Sequence, residues 1–227
     1  MTQLSIMFVL AQVDDPATSW LSTVNKGGPV GYIIIGLSLV ALALVVMHFL
    51  QIRRTALMPQ EQLLVLEEML SNGKVEDALA FCVVPANDSY LTRILATGLL
   101  RYQRSAFGPF ELKNALEESG EDQTSRLFRS TDALGLIGTI APLLGLLGTV
   151  LGMVGAFETI GQTASNTHTA LAVNISEALV TTMLGLVLAI PCVTLFSFFR
   201  NRIEGLSSEA SSEIERLVLY LEEAQGT

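Results

Sequence analysis

The sequence predicts an all-α membrane protein with three transmembrane helices and long helical extensions beyond the bilayer. Three observations carry this expectation. Half of the 227 residues are hydrophobic and only 15% are charged, a balance shifted away from ordinary soluble domains. Neither residues 27–52 nor residues 130–199 contain a single Lys or Arg, and three apolar runs long enough to cross a bilayer lie inside those windows. Elsewhere the hydrophobic residues recur at three-and-four spacing, the period of a helix rather than of a strand.

The elements follow in chain order. Residues 1–28 form an external N-terminal segment. Its first eleven residues, MTQLSIMFVLA, are a short apolar run with Val9 and Ala11 spaced as at a signal-peptidase site. The run lacks a basic start, which favours a helix lying on the outer membrane surface over a cleaved leader, with Trp20 and Tyr32 as interface anchors. Residues 29–52 make the first span, closed by Arg53 and Arg54. Residues 53–131 read as short packed helices. Leu63, Leu66, Met69 and Leu70 form one stripe ended by Asn72 and Gly73, residues 75–81 and 91–100 form others, and Pro85 and Pro109 punctuate them. After Phe110 only Gly120 offers a break before Pro142, so the second span, residues 132–158, is expected to continue out of the membrane as one long helix.

A loop, residues 159–176, leads into the third span, residues 177–199, where Pro191 is expected as a tolerated kink. In the tail, residues 200–227, Ile203, Leu206, Ala210, Ile214, Leu217 and Leu221 stand at helical spacing among glutamates. This amphipathic helix continues the third span, and its apolar stripe packs within its own chain or joins neighbouring subunits. Of the 13 Lys and Arg residues, Lys26 alone lies outside residues 53–129 and the tail. The excess of basic residues puts the N-terminus and the loop 159–176 outside, and the region 53–131 and the C-terminus in the cytoplasm.

Composition also excludes function classes. A net charge of −9 with no basic patch argues against nucleic-acid binding. Cys82 and Cys192, the only cysteines, make a disulfide or a four-cysteine metal site implausible and read as packing residues. With no phosphate-binding loop and only His48 and His168, neither a nucleotide-driven enzyme nor a cofactor is expected. Three spans without an internal repeat fit a secondary transporter poorly. His48, near the inner end of the first span, suits snorkelling or a local hydrogen bond.

The stretch ALGLIGTIAPLLGLLGTVLGMVGA, residues 133–156, carries no charge. At about 100° per residue Gly138, Pro142, Gly145, Thr149, Gly152 and Ala156 share one narrow face, a smooth spine with a single hydroxyl. In the third span Ala178, Thr182, Gly185 and Ala189 form a second spine. The two helices run in opposite directions, so Thr149 lies roughly 12 Å and Thr182 roughly 8 Å below their outer ends, nearly level. Such spines serve close helix packing in a non-conducting scaffold or line a narrow passage. A proton relay would need a titratable group near mid-depth. This chain has none there: Asp132, Glu158 and Glu177 stand at span ends.

APLLGLLGTVLGM followed by ISEALVTTMLGLVLAIP, with GGPVGYIII in the first span, resembles the paired signature of the MotA/TolQ/ExbB proton-channel family, its ExbB branch above all. The resemblance covers the chain from Gly27 to the tail. It implies a multi-pass subunit of the bacterial inner membrane that assembles as a homopentameric ring in lipid and passes protons. The ring would enclose an ExbD-like or TolR-like single-span partner whose transmembrane Asp supplies the missing carboxylate, and would drive a TonB-like or TolA-like protein. By the same resemblance Thr149 and Thr182 match pore-lining threonines, and Glu177 matches the acidic residue opening the third span. Glu158 departs from the family pattern and reads as a solvated charge at the mouth. Thr181 reads as hydrogen-bonded within its own helix.

Overall fold

A computed structural model describes residues 28–104, 108–162 and 167–225. The reading of residues 1–11 as a surface helix or leader, and Trp20 with it, lies outside the described residues. Among those described every regular element is helical: α1 (Gly28–Gln51), α2 (Arg54–Leu57), α3 (Gln60–Ser71), α4 (Val75–Val83), a 3-10 turn (Pro85–Asn87), α5 (Tyr90–Arg104), α6 (Gly108–Gln162) and α7 (Thr167–Gln225). Three of these, α1, α6 and α7, contain a stretch long and apolar enough to cross a membrane. At 1.5 Å per residue α1 extends about 36 Å, a little more than a hydrocarbon core, whereas α6 and α7 extend more than roughly 80 Å each. Both keep a proline inside the helix, Pro142 and Pro191.

The chain divides into two compact units. One comprises the described residues of Met1–Ala43 and Leu134–Thr194, the other those of Leu44–Ala133 and Leu195–Thr227, so α6 and α7 contribute to both. In the first unit Val30, Ile34 and Ala41 of α1 are buried while Ile33, Leu39, Val40 and Leu42 are exposed. That is a helix offering one flank to protein and the rest of its apolar surface to lipid.

The second unit has a core of the ordinary water-excluding kind. Leu66 and Leu70 of α3, Ala78 and Cys82 of α4, Leu91, Ile94, Leu95 and Leu99 of α5, and Leu112 and Ala115 of α6 are all buried. Ile203, Leu206, Ala210, Ile214, Leu217 and Leu221 of α7 are buried as well, so the tail's apolar stripe is covered within its own chain. The long helices are tied by a triangle of hydroxyls. Tyr90 Oη lies 2.9 Å from Thr124 Oγ1 and 3.0 Å from Ser207 Oγ, which are 2.8 Å from each other. Ion pairs join α2 to α7 through Arg54 and Glu209 at 2.7 Å and α3 to α7 through Glu67 and Arg216 at 3.6 Å.

His48 belongs to this unit and is fully buried. Its Nδ1 stands 2.6 Å from the Leu44 carbonyl oxygen and its Nε2 2.9 Å from that of Ser130, while its ring lies 5.4 Å from that of Phe199. The ring does not snorkel; it fastens α1 to α6 through a backbone carbonyl. Arg200 places its guanidinium 4.8 Å from the Phe128 ring centre, a cation held on an aromatic face.

Candidate functional site: the paired small-residue faces of α6 and α7

In the first unit α6 and α7 run antiparallel and approach as closely as backbones allow. A Cβ at position 138 would stand 2.7 Å from Val193 Cγ2, one at 145 would stand 2.9 Å from Thr182 Cα, and one at 152 would stand 2.7 Å from Ala178 Cβ. From the other side, a Cβ at 185 would stand 2.6 Å from the Ala141 carbonyl oxygen. Gly138, Gly145, Gly152 and Gly185 are therefore the residues that permit this approach, and Ala156, Ala178 and Ala189 are buried alongside them. Lipid tails give no hydrophobic drive for pairing, so such contact and the hydrogen bonds it brings supply the association.

The packed strip on α6 is not centred on the predicted spine. Leu134, Ile137, Gly138, Ala141, Gly145, Gly148 and Ala156 are buried, whereas Pro142, Thr149 and Gly152 are only half-buried. At 100° per residue the strip is turned by roughly 40° from the predicted line, leaving Pro142 and Thr149 at its edge. On α7 the buried set is Ala178, Thr181, Gly185, Ala189 and Cys192, with Thr182 half-buried at the margin. Ala141 and Gly148 are thus packing residues absent from the sequence reading. The spacing of Gly145, Gly148 and Gly152 is the signal that could have revealed a second small line.

The three hydroxyls have different partners. Thr149 Oγ1 donates to the Leu146 carbonyl at 2.7 Å, inside its own helix. Thr182 Oγ1 donates across the pair to the Gly145 carbonyl at 3.0 Å. Thr181, buried, donates to Ala178 at 2.7 Å within its helix and fills the space left by the missing side chain of Gly148. With their protons committed to carbonyls, the half-buried Thr149 and Thr182 keep oxygen lone pairs with which to accept a hydrogen bond from water or from a protonated acid.

Neither residues 134–157 nor residues 178–194 contain an acidic or basic side chain. Glu158 is exposed and Glu177 half-buried, the latter with its carboxylate against Gly28, the first residue of α1. Among the described residues no group of His, Cys, Asp or Glu is placed to hold a metal ion. The pair therefore offers hydroxyls, carbonyls and close-packed backbone, and no proton carrier of its own at mid-span.

Residues 86–212, which include both faces, match the model of the MotA/TolQ/ExbB proton channel family. The chain belongs to that family. It is similar to a biopolymer transport protein ExbB of Pseudomonas putida, with 36% identity over 112 residues, 49% of this chain and 33% of that protein. It is also similar to a biopolymer transport protein ExbB homolog of Methanothermobacter thermautotrophicus, with 30% identity over 197 residues, 84% of this chain and 67% of that protein. The match thus spans only a third of the Pseudomonas relative's length. Membership rests on the region that carries α6 and α7, and within the family the ExbB-like branch is the one these relatives represent.

Proposed function

We propose that this chain is the ring-forming, proton-conducting subunit of an inner-membrane motor of the ExbB type. In this reading five copies surround an ExbD-like single-span partner carrying a transmembrane Asp, and the proton gradient drives work on a TonB-like envelope protein. The observation that carries it is the contrast within one helix pair: no acidic or basic side chain between residues 134 and 157 or 178 and 194, yet two half-buried threonines at the margin of the packed faces. A conducting path needs a carboxylate at depth, so the path is completed by a second polypeptide while this chain supplies hydroxyls and a smooth wall. Family membership and the ExbB names of the relatives support the same assignment.

The orientation in this reading follows the basic residues Arg53, Arg54, Arg126, Arg129, Arg200 and Arg202. These place residues 53–131 and 200–227 in the cytoplasm and the N-terminus and residues 159–176 outside, with spans at 29–52, 132–158 and 177–199. Glu177, at the outer end of the third span, serves as the acidic group of the outer mouth.

The test is purification in mild detergent with native mass measurement, alone and with a co-expressed single-span partner, followed by proton flux in proteoliposomes. A ring that conducts only with the partner is expected, and Glu177→Gln is expected to assemble normally but to lower the flux. A well-folded monomer that still supports gradient-driven work overturns the ring. Full flux in Glu177→Gln removes that residue from the pathway.

A further inference from the structure

Gly28 opens α1 with φ +55°, in the left-handed region that favours glycine. Its missing side chain is replaced by another residue's carboxylate: a Cβ at position 28 would stand 2.5 Å from Glu177 Oε1 and 3.6 Å from its carboxyl carbon. Two residues far apart in sequence therefore share one space, the outer end of the first span and the outer end of the third. This is also the end of α1 at which backbone N–H groups lack helical partners and the helix dipole is positive, so a carboxylate is favoured there. The family match begins at residue 86 and does not reach Gly28.

From this we infer that Gly28 is a positioning residue for Glu177. By having no side chain it leaves room for the carboxylate over the start of α1, so the first span sets where the acidic group of the outer mouth sits. The inference rests on the role proposed above for Glu177, but the contact itself is testable apart from that role.

Among the described residues, the only atoms a Cβ at position 28 would meet belong to the far end of the flexible Glu177 side chain. Gly28→Ala is thus expected to fold and assemble while pushing the carboxylate aside. Gly28→Asn separates space from backbone, because Asn tolerates the left-handed region yet also carries a Cβ. Both variants are expected to lower partner-dependent proton flux, by up to roughly a hundredfold, the scale an ångström misplacement of a working group can reach. Glu177→Asp, shorter by one methylene, is expected to recover part of that flux when combined with Gly28→Ala.

A second readout does not depend on flux. The drop in thermal midpoint caused by Gly28→Ala should shrink when Glu177→Ala is also present, since the colliding group is gone. Equal drops in the two backgrounds, or a Gly28→Asn variant indistinguishable from the parent, overturn the inference. If Glu177→Gln conducts normally while the midpoints still show coupling, the role of Glu177 in conduction falls and the placement of its carboxylate by Gly28 stands.

Discussion

Gly185→Ala should separate α6 from α7 without unfolding either. A Cβ at position 185 would stand 2.6 Å from the Ala141 carbonyl oxygen, and ordinary contact begins at 3.4 Å, so the helices must part by 3.4 − 2.6 = 0.8 Å. The atom met is backbone and has no rotamer to escape into. A gap of that size forfeits about a quarter to a half of each pairwise dispersion well along the seam, and forcing a methyl into close packing costs about 1–3 kcal/mol. The Thr182 bond to the Gly145 carbonyl, now 3.0 Å, would be stretched past a useful length, adding about 0.6 kcal/mol as membrane hydrogen bonds average. The greater helix propensity of alanine does not offset this, because a separated helix in a bilayer or micelle remains helical. A loss of about 2–3 kcal/mol is expected. Reversible unfolding in mixed micelles measures it, with Gly36→Ala as the control, since a Cβ there has nothing within 4 Å among the described residues and should move stability by less than about 0.5 kcal/mol. Equal stability of the two variants would refute the close-approach reasoning.

The three apolar helices, the continuation of the second and third beyond their apolar stretches and the apolar stripe of the tail were legible in the sequence because each is a periodic signal repeated over many residues, whereas residues 159–162 and 167–176, expected in a loop, belong to α6 and α7. A nearly uniform helix face carries less of this signal. Small residues stand on adjoining lines of α6, Pro142 and Thr149 on one and Ala141 and Gly148 on the next, and a helical wheel alone does not say which line meets α7. The choice comes from the partner: Thr181 needs the space at Gly148, and the Thr182 hydroxyl needs the Gly145 carbonyl. Contacts made by backbone groups leave still less trace. The acceptor facing His48 Nε2 is the carbonyl of Ser130, an atom every residue has, so only the fold identifies it. Gly28 and Glu177 are likewise joined by an absent side chain, which composition and spacing do not record. The hydroxyl triangle of Tyr90, Thr124 and Ser207 has no sequence signature because its members come from three separate helices.

Two further predictions concern the second unit and the paired faces. Burial pushes the Cys82 thiol from its ordinary 9.0 up to about 12. Below pH 9 the thiol is protonated in folded and unfolded chains alike and its contribution is fully present. As pH rises from 9 toward 12 the unfolded chain releases the proton and the folded chain does not, so stability falls, by up to about 1.4 kcal/mol per pH unit for one proton. Denaturation at pH 8 and pH 10 should therefore show the stability gap between the parent and Cys82→Ala narrowing at the higher pH; an unchanged gap overturns the burial argument. For the threonines, valine keeps the shape and removes the hydroxyl. Thr149→Val gives up only a bond inside its own helix, so it should leave stability within about 0.5 kcal/mol of the parent, while Thr182→Val also loses the bond to Gly145. If the hydroxyls' free lone pairs support a water path beside a partner's carboxylate, both variants lower partner-dependent proton flux, Thr→Ser at either position retains it, and the double valine variant is worse than either single one. Normal flux in both valine variants would make the hydroxyls packing groups. The Thr149→Val result decides most, because that substitution alters the polarity of the edge of α6 while leaving the contact with α7 untouched.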